Sequence, residues 1–374
     1  MAKSVIALDT LPVALQAAVR FLRHHQLLDA AATKQFIRRW LKAGQPALRE
    51  FCEQDADLAE AARVKVVAAL AGAGDVLDNY ELLAHLATGS MGRVWLATRD
   101  QQQVVVLKIL HASGPDAGEL QRRFVHEAQQ YHQLRNNYVM PSLGYGRVDQ
   151  RLYQAFPLMS AGDLQRWLLK GPLLAAECQA VLRHCGHGLR ALLKAGMVHR
   201  GMKPQNIFIT AQGRACLADF GLLRNAQQDE ATLTMSGASL GTPEYLAPEQ
   251  ILGDAEADIR SDIYSLGAVA HFMLTGRPPF HGSATDVIQQ HLHGTIPNLL
   301  GSVPGISEGL QEIMHICLAK DPSKRFQTPD RLLAALATLP TGQEQDPQQT
   351  FFPAAVAGDA AQQTLFPAPR PPSR

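Results

Sequence analysis

Val198-His199-Arg200-Gly201-Met202-Lys203-Pro204-Gln205-Asn206 is the stretch on which the reading of this 374-residue chain turns, and Asp219-Phe220-Gly221 follows thirteen residues after Asn206. Asn206 and Asp219 offer an amide and a carboxylate oxygen, ligands suited to a hard cation that shares phosphate oxygens. Positions 200–206 contain no acidic side chain.

Upstream, the pattern from Tyr80 alternates as a strand does, through Leu82 and Leu83 to Ala87-Thr88-Gly89-Ser90-Met91-Gly92-Arg93-Val94. Gly89 and Gly92 lack a Cβ, so backbone amides there can approach phosphate oxygens closely. The next strand reads Val104-Val105-Val106-Leu107-Lys108-Ile109-Leu110. A lysine inside so apolar a run needs a partner or a function. Leu120, Phe124, Ala128, Tyr131 and Leu134 mark an amphipathic helix with Glu127 on the border of its apolar face. Residues 177–193 read as a long apolar helix leading into the central loop.

In combination these segments resemble the protein kinase family, and within it the bacterial eukaryotic-like serine/threonine kinases, over roughly residues 80–337. The resemblance implies an α+β, bilobal protein-kinase fold with a β-rich N-lobe and a helical C-lobe. It implies ATP and Mg2+ as cofactors. Lys108 would contact the α- and β-phosphates, steadied by Glu127, and Lys203 would contact the transferred phosphate. Asn206 and Asp219 would hold magnesium. Ala87, Gly89, Gly92 and Val94 belong to the loop over the phosphates, where Ala87 stands at the family's first glycine. Val106 and Phe208 would bracket the adenine, and their bulk narrows the slot relative to the usual alanine and leucine. Tyr153 to Met159 resembles the last N-lobe strand and the hinge, with Phe156 as gatekeeper. Pro157 keeps the carbonyl that the adenine amino group needs, and Met159 supplies the amide donor. His199, Phe220, Tyr131 and Leu143 sit where the family stacks its regulatory spine. Thr234 and Ser236 are candidate phosphorylation sites that would pair with Arg200, and Thr242 lies in the segment Gly241 to Glu249, which resembles the substrate loop. Glu249 is expected to salt-bridge Arg325, and Asp262 to accept amide hydrogens of the central loop.

Gly201 departs from this pattern, because the family carries its catalytic aspartate there. That aspartate accepts the substrate hydroxyl proton and is no magnesium ligand, so its loss spares nucleotide binding and strikes the transfer step. A lost general base costs on the order of 10²–10⁴ in rate. Three readings follow: a pseudokinase that binds Mg-ATP as a nucleotide-dependent signalling switch, an active serine/threonine kinase with its aspartate substituted, and a nucleotide-free scaffold. The first is the primary reading.

Composition frames the rest. A hydrophobic content of 46% and a charged content of 18% are those of a globular protein. A formal net charge of +1 gives no electrostatic footprint for nucleic acid. Five scattered cysteines without Cys-x-x-Cys pairing argue for a reducing compartment. With no leader-like segment and no apolar run long enough to span a membrane, the expectation is a cytoplasmic protein. The expected domains are a helical module at 1–77, a kinase-like domain at 78–340 (N-lobe 78–157, C-lobe 158–340) and a disordered Pro/Gln/Ala-rich tail at 341–374. In the module, Phe36, Ile37, Trp40 and Leu41 keep helical spacing, and Asp55 is placed to cap a helix from Leu58 to Leu70. Arg20, Arg23, Arg38, Arg39 and Lys42 are expected on solvated faces. Protein partners are expected through the module and the tail, where Gln348 to Ala354 and Gln362 to Ala368 form a near-repeat.

Overall fold

Strand alternation from Tyr80 onward and helical spacing on either side of it become two compact units in the structure, a computed structural model. It describes residues 15, 16, 19, 30–44, 48–55, 58, 70, 75–89, 92–100, 103–111, 117–159, 161–219, 243–253 and 258–340. The first unit comprises Met1–His132 with Ser142–Leu158, and the second Gln133–Pro141 with Met159–Arg374.

A six-stranded antiparallel sheet organises the first unit. Its strands are β1 (Val76–Leu77), β2 (Tyr80–Gly89), β3 (Gly92–Arg99), β4 (Gln103–His111), β5 (Gly144–Val148) and β6 (Arg151–Pro157), in the order β1-β2-β3-β4-β6-β5. Alternation gives the sheet two faces. One carries Leu82, Trp95, Ala97, Val105, Leu107, Ile109, Tyr153 and Ala155 in a single apolar cluster. The other carries Val106, Lys108, Gln154 and Phe156, which pair across β4 and β6 as Val106 with Phe156 and Lys108 with Gln154. Helix α3 (Ala117–Gln133) buries Phe124, Ala128 and Tyr131 against this second face, with the Tyr131 ring 6.1 Å from that of Phe156.

The N-terminal residues join the same unit. Helices α1 (Ala30–Lys42) and α2 (Leu48–Gln54) contribute Phe36, Ile37, Trp40 and Cys52 to a core that also contains Leu15, Val19, Leu58 and Leu70. That core continues into Leu83 and Ala84 of β2 and Leu96 of β3, and Leu86, Val104, Val106 and Leu158 pack against it half-buried. Each fully buried leucine or phenylalanine there contributes about 1.5–3 kcal/mol. Helix α2 adds an element to the sequence expectation, and Asp55 has a partner that the expectation lacked. The Asp55 carboxylate follows α2 and receives the Arg39 guanidinium at 2.7 and 3.1 Å. Arg39 is thereby tied inward and not simply solvated. The expected helix from Leu58 to Leu70 lies outside the described residues but for its two ends.

Gly92 shows how tightly the sheet closes. Its φ is 152°, and a Cβ there would stand 2.2 Å from the Ile109 carbonyl oxygen of β4. The backbone approach between β3 and β4 demands glycine on its own account.

Helices dominate the second unit: α4 (Leu164–Leu168), α5 (Ala175–Lys194), α6 (Pro248–Ile251), α7 (Ile259–Thr275), α8 (Ala284–His293), α9 (Glu308–Cys317) and α10 (Pro329–Ala337), with the short hairpin β7 (Ile207–Ile209) and β8 (Ala215–Leu217). Helix α7 is buried along nearly its whole length, as an apolar all-round sequence requires. Asp258 caps its start by accepting from the Arg260 amide, and Gly276 ends it with a left-handed φ of 74°. Helices α7 and α10 pack on α5, and α9 packs on α7. The carboxylate of Glu249 meets the Arg325 guanidinium at 2.6 and 2.8 Å and accepts from the Ser261 hydroxyl at 2.6 Å. Burial alone would raise the Glu249 carboxyl, but the hydrogen bonds from Arg325 and Ser261 outweigh it and hold it below the usual range. Among the described residues no helix is long and apolar enough to cross a membrane.

Candidate active site

The first unit gathers one set of the expected residues on the second face of its sheet. Ala87 pairs with Val94, Gly89 with Gly92, Val94 with Lys108, and Val106 with Phe156. Cross-strand partners point to the same side, so Val94, Val106 and Lys108 share the face that α3 covers. Glu127 is half-buried on α3, one position before buried Ala128. Pro157 ends β6 opposite Val105, where its missing N–H costs no ladder bond beyond the strand end.

The second unit holds the set expected around the central loop. Asp262 of α7 is buried and accepts the amide hydrogens of His199 and Arg200 at 2.7 Å each. Burial pushes its carboxyl up to about 7, against the opposing pull of those two amides and Arg200. Arg200 has a left-handed φ of 58°, a strained conformation that the Asp262 clamp sustains. The Gly201 amide donates to His199 Nδ1 at 3.2 Å, and the Asn206 side-chain amide donates to the Gly201 carbonyl at 2.8 Å. Gln250 donates to the Arg200 carbonyl at 3.4 Å. Among the described residues, the glycines in the left-handed region do not include Gly201. The backbone φ at Gly201 therefore makes no demand for glycine.

Pro204 opens a 3₁₀ turn that ends at Asn206, whose own carbonyl accepts from Ala218 at 2.9 Å. That bond ties the loop to the residue before Asp219. Asp219 is exposed, with a φ of 56°, and Lys203 is half-buried. Phe208 lies on β7 opposite Cys216 and bridges to Asp163. The Met159 carbonyl accepts from Gly162 at 3.1 Å, and Asp163 caps α4 by accepting from the Arg166 amide at 2.8 Å.

The donor set fits magnesium. The NH2 group of Asn206 is spent on the Gly201 carbonyl, which leaves its Oδ1 as the acceptor, and Asp219 adds a carboxylate. Two hard oxygen donors suit an ion that keeps water and phosphate as its other ligands. Phe220, Thr234, Ser236 and Thr242 lie outside the described residues.

Two polar side chains of this region escaped the sequence reading. One is Gln250, whose only signal was its place after Glu249. The other is Gln154, buried in β6 across from Lys108, and its signal was an amide within the apolar run Leu152 to Phe156.

Comparison with known proteins agrees with the fold. The protein kinase domain family matches residues 80–335. A serine/threonine-protein kinase PknH of Mycobacterium tuberculosis is 34% identical over 303 residues, covering 80% of this chain and 47% of its own length. A serine/threonine-protein kinase PknE of Mycobacterium bovis is 33% identical, covering 72% of this chain and 48% of its own. The chain thus spans about half the length of the curated relatives it matches. The crystal structure of the Mycobacterium tuberculosis PknI kinase domain shares the fold, with a TM-score of 0.54 at 24% identity over 71% of this chain and 97% of that one. The chain belongs to the protein kinase domain family, and its relatives are bacterial serine/threonine-protein kinases.

Proposed function

We propose that this protein is a serine/threonine-protein-kinase homologue that binds Mg-ATP and is impaired in phosphoryl transfer, acting as a nucleotide-dependent switch. The observation that carries the reading is the loop around Gly201. Asp262 and Asn206 hold its backbone by hydrogen bonds of 2.7–2.8 Å, yet positions 200–206 offer no carboxylate. Binding and positioning groups are thus kept while the group that receives the substrate hydroxyl proton is missing.

In this reading Lys108 binds the α- and β-phosphates with Glu127 beside it, and Lys203 faces the transferred phosphate. Asn206 and Asp219 hold magnesium, which when bound neutralises phosphate charge. Ala87, Gly89, Gly92 and Val94 cover the phosphates. Val106, Phe208, Pro157 and Met159 receive the adenine. Loss of a general base raises the barrier by about 3–5.5 kcal/mol, which leaves room for slow residual transfer. Thr234 and Ser236 are the proposed phosphorylation sites, with Arg200 as their partner. Protein partners are proposed for residues 1–77 and for the tail at 341–374.

A ligand that binds only the folded state stabilises it by about 2.7 kcal/mol at 100 times its Kd. Thermal unfolding with rising Mg-ATP is expected to move up by several degrees, and Asp219→Ala is expected to abolish the magnesium-dependent part. No shift at millimolar Mg-ATP would favour the nucleotide-free scaffold.

A further inference from the structure

Gln154 lies in the middle of β6 with 1% of its surface exposed, and neither atom of its amide has a hydrogen-bond partner. Among the described residues it is the only one with both side-chain polar atoms buried and unpartnered. A buried amide in that state is costly enough to need an explanation. Much of its surroundings is apolar: Leu152 and Phe156 flank it on the same face, which α3 covers with Phe124, Ala128 and Tyr131. Both cross-strand neighbours carry polar atoms. Tyr145 pairs with Gln154 from β5, its ring edge-on to His132 at 5.5 Å, and Lys108 pairs with it from β4. Directly opposed residues place their Cβ atoms about 4.5–5.5 Å apart on one face. An ammonium has three donors and no acceptor, so it can keep other partners and still give one hydrogen to an amide oxygen.

We propose that Gln154 is a positioning residue for Lys108. Its Oε1 accepts from one buried water to which the Lys108 ammonium donates, and this bridge fixes the ammonium where nucleotide phosphates bind. An apolar residue of equal length would fill the same space without aiming the lysine. This inference rests on the nucleotide-binding reading of Lys108.

The test is a double-mutant cycle in the full chain with Gln154→Met, Lys108→Met and both together, read in two ways. Calorimetric titration compares Mg-ATP with adenosine, which lacks phosphates. Gln154→Met is expected to weaken Mg-ATP about tenfold, the scale of a hydrogen bond to a charged group, and adenosine less than about twofold. In the Lys108→Met background the same change is expected to move Mg-ATP less than about twofold. Denaturant unfolding without nucleotide supplies the second reading, where the two substitutions are expected to be non-additive by at least about threefold in the unfolding constant. Equal losses for both ligands, or a full tenfold loss without Lys108, would reduce Gln154 to packing and overturn the proposal. If the parent chain binds no Mg-ATP, the functional reading fails first. The unfolding cycle then decides alone, and additivity sinks the Lys108–Gln154 link.

Discussion

Gly201 stands without a side chain in a loop whose backbone is held from outside by Asp262 and from within by Asn206. The hold comes from Asp262, two short bonds from a buried side chain to consecutive amides, and from Asn206 on the Gly201 carbonyl. Asp262→Asn keeps the size of that side chain but replaces one acceptor by an NH2 that faces an amide hydrogen. A hydrogen bond to a charged group contributes about 1.5–3 kcal/mol, so Asp262→Asn is expected to lower unfolding stability by about that amount. It is also expected to speed amide exchange at His199 and Arg200. Unchanged exchange at both would show that the clamp does not hold the loop. The pairings of Asp262 with the loop and of Glu249 with Arg325 were legible because each partner stands in a segment of recognisable wording. Gln154 and Gln250 were not, because an isolated glutamine has no spacing that announces which neighbour it will face. The Arg39 partner of Asp55 was hidden for a related reason, since only the fold brings that guanidinium across to it.

The strands and helices of both lobes follow from periodicity, and their limits shifted little: 104–110 became Gln103–His111, and 177–193 became Ala175–Lys194. What periodicity cannot tell is which surface an amphipathic helix covers. Helix α1 read as part of a separate bundle, and its apolar stripe instead shares a core with β2 and β3. Phe36 sits in that core with no exposed surface. Phe36→Ala is expected to cost about 3–5 kcal/mol and, because the core is shared, to raise hydrogen exchange at Leu83, Ala84 and Leu96. A loss confined to the N-terminal helices, with β2 and β3 unchanged, would make the module an independent bundle. Val106 and Leu86 also pack on this core. The module therefore borders Val106, a residue proposed to line the nucleotide site, and through it a partner bound to the module would reach the site.

Across the whole chain, a protein kinase fold carries the loop around Gly201, for which we propose a missing catalytic carboxylate. Lys108 and Glu127 stand in the first unit, on β4 and α3, and Lys203, Asn206 and Asp219 stand in the second. Phosphoryl transfer depends mainly on positioning and electrostatics, so one restored carboxylate in a loop already held is expected to recover much of the lost barrier. The direct test is phosphotransfer from Mg-ATP to serine or threonine by this chain beside its Gly201→Asp version, with sites mapped by mass spectrometry. The account predicts a gain of at least about 10² in rate, with Thr234 or Ser236 among the first residues modified. Equal rates for the two proteins would contradict it, since another group would then be doing the work assigned to the missing aspartate.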